Sequence, residues 1–415
     1  MGNSYRSMIN REAAIDIILE ERQKMLSNQK TRNIPVDKLD SHFLADSIAA
    51  GHTSPACDQA TMDGFALDAN EEYPLSIREK EMFPEQDQMS INPGEAVPIT
   101  TGAPLPDGAN AVLKKEDALV DQNTLYGKDI APGTYTYTQG TNFTAGETIF
   151  EPGEHLSPKD AILLKDLGYD TVPVFQELSV SILATGTEIS DGKKRDLNSD
   201  MLSGLVQMWG HNPTYKGSVS DDYEQLEKKI IQIADKCDVL LTTGGTSVGK
   251  KDFVVQVLDS LGEVHFHYVQ IRPGKPIAMA YLPDYDTTVF AIPGKPIGAH
   301  TAVTLIARPF FTGERTDTSI KGTLERTVNV TSGNFEYVIP VMISKKQQEY
   351  TAKPLGHVDS PLSIYDRQFD PSVLSASTRA SRADGVVITE SSLNAGEEAT
   401  IIPYSSLKHQ LQSVE

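Results

Sequence analysis

The sequence predicts a multidomain α/β protein with a doubly wound central domain, and three observations support this class. Between residues 178 and 319, short apolar runs alternate with segments of helical periodicity, which is typical of helices packed on both faces of a parallel sheet. Region 51–140 is rich in Pro and Gly and carries short extended runs, as expected of a β-rich inserted module. After about residue 319 helical periodicity stops, and short strands of a small β domain follow.

Bulk properties narrow the class of function. The formal net charge of -20 argues against binding to nucleic acid or to a membrane surface, because both are anionic. Cys57 and Cys237 are far apart in the chain and indicate a reducing compartment without a disulfide framework. Since neither a secretion signal nor an apolar run of about 18 residues is visible, we expect a cytoplasmic protein.

The N-terminal part is predicted to contain helices over 10–26 and 37–50, and a third over 156–168 that Ser157 would cap. In the central part the predicted strands are 179–184, 239–241, 265–270, 277–281 and 288–292, and the predicted helices are 198–209, 222–234, 252–261 and 297–307. Beyond residue 318 the predicted strands are 327–330, 337–342, 385–389 and 400–402.

The stretch 239–252 reads as a buried strand, a glycine-rich loop and the start of a helix. Such a loop offers backbone N–H groups to an anion, and residues without a Cβ let a phosphate approach closely. The loop residues that suit this role are Gly244, Gly245, Thr246, Ser247, Gly249, Lys250 and Lys251. Asp252 would repel phosphates unless a hard cation such as Mg²⁺ lay between them. The alternative is a tight turn before a capped helix.

Other predicted strands end in similar loops. Thr185-Gly-Thr-Glu188 follows one strand, Pro293-Gly-Lys-Pro296 follows another, and Arg272-Pro-Gly-Lys-Pro276 links two more. Ligands of open α/β sheets bind beyond the carboxyl ends of the strands, so these loops are candidate binding elements. Basic groups with two carboxylates, Glu188 and Asp252, fit a phosphorylated ligand and a bridging cation. A solvated basic patch without a ligand is the alternative.

Two further features admit more than one interpretation. Asp63, in Met62-Asp-Gly-Phe-Ala, either forms an Asx turn or lines a cleft, because apolar residues surround it. His265 and His267 alternate along one predicted strand and could bind a metal, but a pair without a third ligand favours a structural role.

The whole set of motifs resembles the molybdopterin molybdenumtransferase family, which includes bacterial MoeA and the E domain of gephyrin. The motifs, in chain order, are Met62-Asp-Gly-Phe-Ala, Thr101-Gly-Ala-Pro, Thr185-Gly-Thr-Glu, Asn198-Ser, Gly244-Gly-Thr-Ser-Val-Gly, Pro273-Gly-Lys-Pro and Pro293-Gly-Lys-Pro. The resemblance covers nearly the whole chain, and an ordered set is far more specific than any one motif.

The resemblance implies an elongated homodimer with four domains per chain. They would be an N-terminal linker domain with helices and strands (1–50 and 141–177), the inserted β-rich module (51–140), a central α/β domain similar to MoaB and MogA (178–319), and a C-terminal β-barrel (320–415). A molybdopterin adenylyltransferase would be a pathway partner.

The implied activity is the final step of molybdenum cofactor synthesis. Molybdate is inserted into adenylylated molybdopterin, and AMP is released with the help of Mg²⁺. In this family the cleft lies between the central domain of one chain and the inserted module of the other, so Asp63 and Thr101 would act in trans.

The resemblance also implies roles for individual residues. Glu188 and Asp252 would hold the metal, and Asp222, or its neighbour Asp221, would supply a further catalytic acid. The substrate would be bound by the glycine loop (Gly244, Gly245, Thr246, Ser247 and Gly249), by Arg272 and Lys275, and by loops that Pro293 and Pro296 shape.

Some positions depart from the family pattern. Lys295 stands where the family usually has Asn, Gln59-Ala60-Thr61 replaces Asn-Ser-Ala, and Ala145 and Thr148 replace an Arg and an Asp. A non-catalytic paralogue that binds molybdopterin or serves as a scaffold is therefore a second hypothesis. A generic nucleotide-dependent transferase is a third.

Overall fold

The computed structural model describes residues 7–40, 42–244, 253–315, 318–330, 333–346, 349–355 and 371–404. The chain forms two compact units: Asn33–Val174 is one, and Met1–Arg32 with Phe175–Glu415 is the other.

The helices are α1 Arg11–Asn28, α2 Asp160–Asp166, α3 Thr187–Ser190, α4 Ser199–Met208, α5 Tyr223–Ala234, α6 Phe253–Leu261, α7 Pro296–Ala302, α8 Arg308–Thr312 and α9 Pro371–Ala376. A π-helical segment, Val303–Ala307, joins α7 to α8, and 3₁₀ turns cover Val36–Lys38, Lys115–Asp117 and Thr378–Arg382.

The strands up to residue 175 are β1 Thr31–Pro35, β2 Ile48–Ala49, β3 Gln59–Ala60, β4 Gly64–Leu67, β5 Leu75–Ile77, β6 Glu95–Ile99, β7 Ala111–Lys114, β8 Leu119–Asp121, β9 Thr124–Tyr126, β10 Thr136–Tyr137, β11 Thr148–Phe150 and β12 Thr171–Phe175. The later strands are β13 Ser179–Thr185, β14 Asn212–Val219, β15 Val239–Thr243, β16 Glu263–His267, β17 Ile271–Arg272, β18 Ala278–Leu282, β19 Thr287–Ile292, β20 Ile320–Leu324, β21 Glu336–Lys346, β22 Glu349–Pro354, β23 Gly385–Thr389 and β24 Glu398–Pro403.

The unit Asn33–Val174 is built on a six-stranded sheet in the order β7-β4-β6-β5-β9-β8. Its strands are short, and apolar residues pack on both sides of the sheet, including Val97 and Val112 on one side and Leu67 and Leu113 on the other. The β-rich nature predicted for the inserted region therefore agrees with the structure. A separate apolar core surrounds α2 and includes Leu44 and Val174.

The helix predicted over 37–50 is wrong. Its apolar residues Leu39, Phe43, Leu44 and Ile48 are buried as expected, but the chain there forms a 3₁₀ turn, single bridges and strand β2. Distant carbonyl groups take the backbone donors: Leu44 N–H bonds to Glu154 O at 2.9 Å, and comparable bonds reach Pro173 and Glu147. Tertiary pairing thus overrides a helical spacing of apolar residues.

The second unit contains a six-stranded sheet in the order β14-β13-β15-β19-β18-β16. The first four strands are parallel, whereas β18 pairs antiparallel with both neighbours, so the predicted all-parallel sheet is wrong at this end. Only residues 283–286 connect β18 to β19, which is too short for the crossover that parallel strands need. Helices cover both faces: α5 and α6 pack on one side, and α1, α4 and α7 on the other.

The C-terminal strands close into a barrel. Strand β21 pairs with β22, and the pairing continues through β20, β24 and β23 back to β21. Its core includes Leu324, Tyr337, Ile339 and Ile401, and Ile297 of α7 joins this core. The predicted C-terminal β-barrel is confirmed, although the strand expected over 327–330 is only a single bridge between Val328 and Leu393. The residue boundaries assigned to the four domains stay predictions.

Candidate functional site

The parallel strands of the second unit bring several predicted loops to one edge of the sheet. Because β14, β13, β15 and β19 run in the same direction, their carboxyl ends lie side by side. The segments that leave this edge begin at Ser220, Gly186, Gly244 and Pro293, respectively. The topology therefore gathers the loops that the sequence singled out.

Gly244 lies where three of these strand ends meet. Its N–H donates to Ile292 O at 3.0 Å, and its φ is +104°. A Cβ on Gly244 would lie 2.5 Å from Thr185 O, and one on Gly294 would lie 3.2 Å from Gly244 Cα. Glycine is required at Gly244 because the neighbouring backbone of Thr185 approaches this closely.

The Asn198 side chain ties two of the strand ends together. Its amide nitrogen donates to Thr243 Oγ1 at 2.7 Å and to Gly294 O at 3.0 Å. Asn198 is the N-cap residue of α4 and is only 4% exposed. A buried amide with two donors can hold the ends of β15 and β19 at a fixed separation.

The predicted acidic residues lie on adjacent loops of the same edge. Thr187 N–H donates to Asp221 Oδ2 at 3.2 Å, which joins the loop after β14 to the loop that carries Glu188. The pKa of the exposed Glu188 carboxyl is held below its usual value. The main cause is a hydrogen bond from the backbone N–H of Glu188 itself, and the second cause that lowers it is the charge of Lys194, 3.5 Å away. Asp222 has a structural contact instead, because its Oδ1 accepts from Gln225 N–H and caps α5.

Arg272 and Lys275 lie close together on a loop that contacts α7. Arg272 Cζ is 3.7 Å from the centroid of the Phe335 ring, and Lys275 Nζ is 5.9 Å from the same centroid. A Cβ on Gly274, between them, would lie 3.4 Å from Gly298 O. A Cβ on Gly298 would in turn lie 3.7 Å from Pro293 Cβ, so the two Pro-Gly-Lys-Pro loops are neighbours.

Neither cation is neutralised within the part of the chain that the structure describes. Arg272 and Lys275 make no ion pair there, although both are half-buried. The nearby carboxylate of Glu336 is engaged by Arg11, whose Nε and Nη2 donate at 2.7 and 3.2 Å. In a protein with a net charge of -20, two half-buried cations that no described carboxylate pairs with make this loop a candidate site for an anion.

Comparison with known proteins agrees with this geometry. A family model described as the MoeA N-terminal region (domain I and II) matches residues 9–168, and one described as a probable molybdopterin binding domain matches residues 181–313. A putative molybdopterin biosynthesis protein of Methanocaldococcus jannaschii is 31% identical over 323 residues, which cover 74% of this chain and 80% of that protein. The molybdopterin molybdenumtransferase of Synechococcus elongatus is 31% identical over 323 residues, covering 73% of this chain and 79% of that enzyme.

A solved structure matches over a still larger share of the chain. The crystal structure of a molybdopterin biosynthesis MoeA protein from Pyrococcus horikoshii has a TM-score of 0.67 at 25% identity, over 96% of this chain and 100% of that one. The chain belongs to the molybdopterin molybdenumtransferase family. The resemblance inferred from the motifs is thus confirmed, and with it the enzyme class, a transferase of molybdenum cofactor biosynthesis.

In this molybdenumtransferase-family chain, Asp63 and Thr101 contact each other in the unit Asn33–Val174. Asp63 Oδ1 accepts from Thr101 N–H at 2.7 Å and from Thr101 Oγ1 at 2.8 Å. These two bonds hold the pKa of the exposed Asp63 carboxyl below its usual value, with Lys115 adding a smaller effect in the same direction. The structure therefore brings these two residues together as a hydrogen-bonded pair, and their catalytic role stays a prediction.

Part of the predicted site lies outside the described residues. Gly245, Thr246, Ser247, Gly249, Lys250, Lys251 and Asp252 belong to this part. The predicted metal pair of Glu188 and Asp252 therefore stays a prediction. Within the described ranges, no group of three or more His, Cys, Asp or Glu side chains suits a metal ion. His267, one of the two alternating histidines, is buried and stacks on Tyr268 at 3.7 Å.

Three residues that contact the predicted site residues were not predicted from the sequence. Phe335 and Tyr268 contact the two cations, and Lys194 pairs with Glu188. Phe335 is about 60 positions from its cation in the chain, so no spacing pattern connects them. Lys194 had a weak signal, because it follows Glu188 in a short polar loop.

No helix of the described segments is long and apolar enough to cross a membrane.

Proposed function

We propose that this protein inserts molybdate into adenylylated molybdopterin and releases AMP, as the sequence motifs imply. The observation that carries the proposal is the pair of half-buried cations, Arg272 and Lys275, without a carboxylate partner among the described residues. Both substrates are oxyanions, and a family relative named molybdopterin molybdenumtransferase shares 31% of its aligned residues with this chain.

Charge neutralisation is the chemistry that these residues supply. When water attacks the phosphoanhydride between the pterin phosphate and AMP, a new P–O bond replaces the broken one and AMP leaves. Negative charge builds on the phosphate oxygens, and fixed cations in a partly desolvated site stabilise that charge. Arg272 offers planar N–H donors that match two oxygens of one oxyanion, whereas Lys275 acts as a point charge. Both residues would bind and orient the substrate, and neither needs to lose a proton.

The donor set on the neighbouring loops fits a hard divalent cation. Glu188 and Asp221 present carboxylate oxygens on loops that the Thr187–Asp221 hydrogen bond joins, and Mg²⁺ prefers such ligands. Among the described residues, Glu188 pairs with the exposed Lys194 at 3.5 Å, a weak surface contact that a metal can displace. We propose that Glu188, with Asp252, holds Mg²⁺, which when bound would neutralise charge on the substrate phosphates.

The oligomeric state, the compartment and the partner enzyme are also part of the proposal. We infer a homodimer that works in the cytoplasm and receives its substrate from a molybdopterin adenylyltransferase. The family membership of the chain supports the partner enzyme, because the proposed reaction requires a pterin that is already adenylylated, and the motif resemblance supports the homodimer. Asp63 and Thr101 are proposed to take part in the reaction as a hydrogen-bonded pair.

The test is direct. The purified protein is incubated with adenylylated molybdopterin, molybdate and Mg²⁺, and both AMP and active cofactor are measured. We expect both products, and we expect Arg272→Met to reduce their rate at least about ten-fold, since a charge-assisted contact contributes about 1.5–3 kcal/mol. Lys321→Met, which removes an exposed lysine of the barrel paired with Glu398, is the control. Pterin binding without AMP release would instead favour the non-catalytic paralogue.

A further inference from the structure

Two aromatic rings hold the cation pair. Arg272 Cζ lies 3.7 Å from the Phe335 ring centroid, which is van der Waals contact with the ring face. Lys275 Nζ lies 5.1 Å from the centroid of Tyr268 and 5.9 Å from that of Phe335. Both distances to Lys275 are within the range of a cation–π contact, about 6 Å. One phenylalanine therefore contacts both cations.

The backbone fixes this arrangement. Phe335 directly precedes β21 of the barrel, and β21 pairs with β17 so that Tyr337 is opposite Arg272. The N–H of Glu336 also donates to Gln270 O at 2.9 Å. On the other side, Val269 N–H donates to Lys275 O at 3.0 Å, which holds Lys275 beside Tyr268. The Phe335 ring is thus positioned by the barrel strand β21, and the Tyr268 ring is positioned by the turn before β17.

An aromatic partner differs from a carboxylate in one decisive respect. A ring attracts a cation through its quadrupole and leaves the net charge in place, whereas a carboxylate cancels it. A guanidinium stacked on a ring face also keeps its N–H edges available for a ligand. Glu336, which follows Phe335 in the chain, directs its carboxylate to Arg11, whose Nε donates to it at 2.7 Å.

We propose that Phe335, with Tyr268, is a positioning residue that holds Arg272 and Lys275 in place, still charged, for an oxyanion of the substrate. This rests on the proposed function, since it assumes that these cations bind the substrate. The shared chemistry is an oxyanion, which is either a phosphate of adenylylated molybdopterin or molybdate itself. Phe335 does not touch the reacting atoms in this proposal, and it acts through Arg272.

The experiment measures equilibrium binding of each oxyanion separately, by calorimetric titration of the full-length protein. Phe335→Leu keeps an apolar side chain of similar size but removes the ring. We expect it to weaken the oxyanion that binds here about five-fold, in keeping with a half-buried cation–π contact, and Phe335→Tyr to restore the affinity. The oxyanion whose affinity does not change is the one bound elsewhere.

A double-mutant cycle separates positioning from general damage. In the Arg272→Met background, Phe335→Leu should change affinity less than two-fold, because the close contact with Arg272 is already absent and only the longer approach to Lys275, 5.9 Å from the ring centroid, remains. The matched control is Tyr350→Leu, which removes a second cation–π pair of the barrel, where Lys345 Nζ lies 5.3 Å from the Tyr350 centroid. That variant should bind both oxyanions as the wild type does. If Phe335→Leu is insoluble, Phe335→Met carries the same expectation.

The outcomes separate the two proposals. If Arg272→Met leaves the affinity for both oxyanions unchanged, the proposed function of the cation pair is wrong. If Arg272→Met weakens binding and Phe335→Leu does not, only the positioning role of Phe335 is wrong. An equal loss from Phe335→Leu with and without Arg272 also overturns it, because the ring would then act through something else.

Discussion

At the residue scale, Gly244 lies where the backbone of Thr185, at the end of a neighbouring strand, leaves no space for a side chain. We expect Gly244→Ala to lower the free energy of unfolding by about 1–3 kcal/mol and to slow AMP release, because the new Cβ meets Thr185 O and φ is positive. Gly204→Ala is the matched control. Gly204 lies within α4 with open space around it, so alanine should stabilise the protein by about 0.5–1 kcal/mol. Urea unfolding measures the free energy of unfolding of both variants. Equal free energies for Gly244→Ala and Gly204→Ala would contradict the packing argument.

The same residues show what one sequence can predict about the site. The glycines, the basic loops and the strand-end positions were visible, because glycine loops after apolar runs have a recognisable pattern. The hydrogen-bond partners of Asn198 could not be predicted, because Thr243 and Gly294 lie 45 and 96 positions away in the chain. The glycines were attributed to phosphate approach, whereas Gly244 also accommodates the backbone of Thr185.

At the element scale, strand β16 ends in a histidine that couples stability to pH. Burial first, and then the nearby charge of Lys275, lowers the pKa of His267 to about 4. Because the unfolded pKa is about 6.5, the unfolded chain takes up the proton first as pH falls. The stability contributed by neutral His267 is therefore complete above about pH 6.5 and is lost progressively down to about pH 4.

The prediction is a comparison of His267→Phe with the wild type. Between pH 7.5 and pH 5, the wild type should lose about 2 kcal/mol more unfolding free energy than the variant, from about 1.4 kcal/mol per pKa unit. Urea unfolding at the two pH values measures this difference. An acid sensitivity that is the same in His267→Phe would show that other groups cause it.

Most elements of the central sheet were predictable, and the errors have physical reasons. Helix α5 begins after Asp222 as expected, because the Asp222 carboxylate caps it. The stretch 37–50 shows helical spacing of apolar residues, yet three of its backbone N–H groups bond to carbonyl groups 97 to 128 positions away. The antiparallel end of the sheet was indicated only by the short link between β18 and β19.

At the scale of the whole molecule, the family assignment was readable from the ordered motifs, and the relatives confirm it. We expect sedimentation velocity to give a species of about twice 45.3 kDa, because the resemblance implies a homodimer. The measurement is repeated over a dilution series together with the AMP-release assay. A fully active 45.3-kDa species would refute the dimer as the working form.

The closed pairing of the C-terminal barrel has a consequence for shortening the chain. Strand β24 is hydrogen-bonded on both sides, to β20 and to β23. Deleting it would open the ring and create two unsatisfied strand edges at once, which invite pairing between molecules. The loss would also affect the position of Phe335, because Phe335 directly precedes β21 and β21 is itself a member of the opened ring.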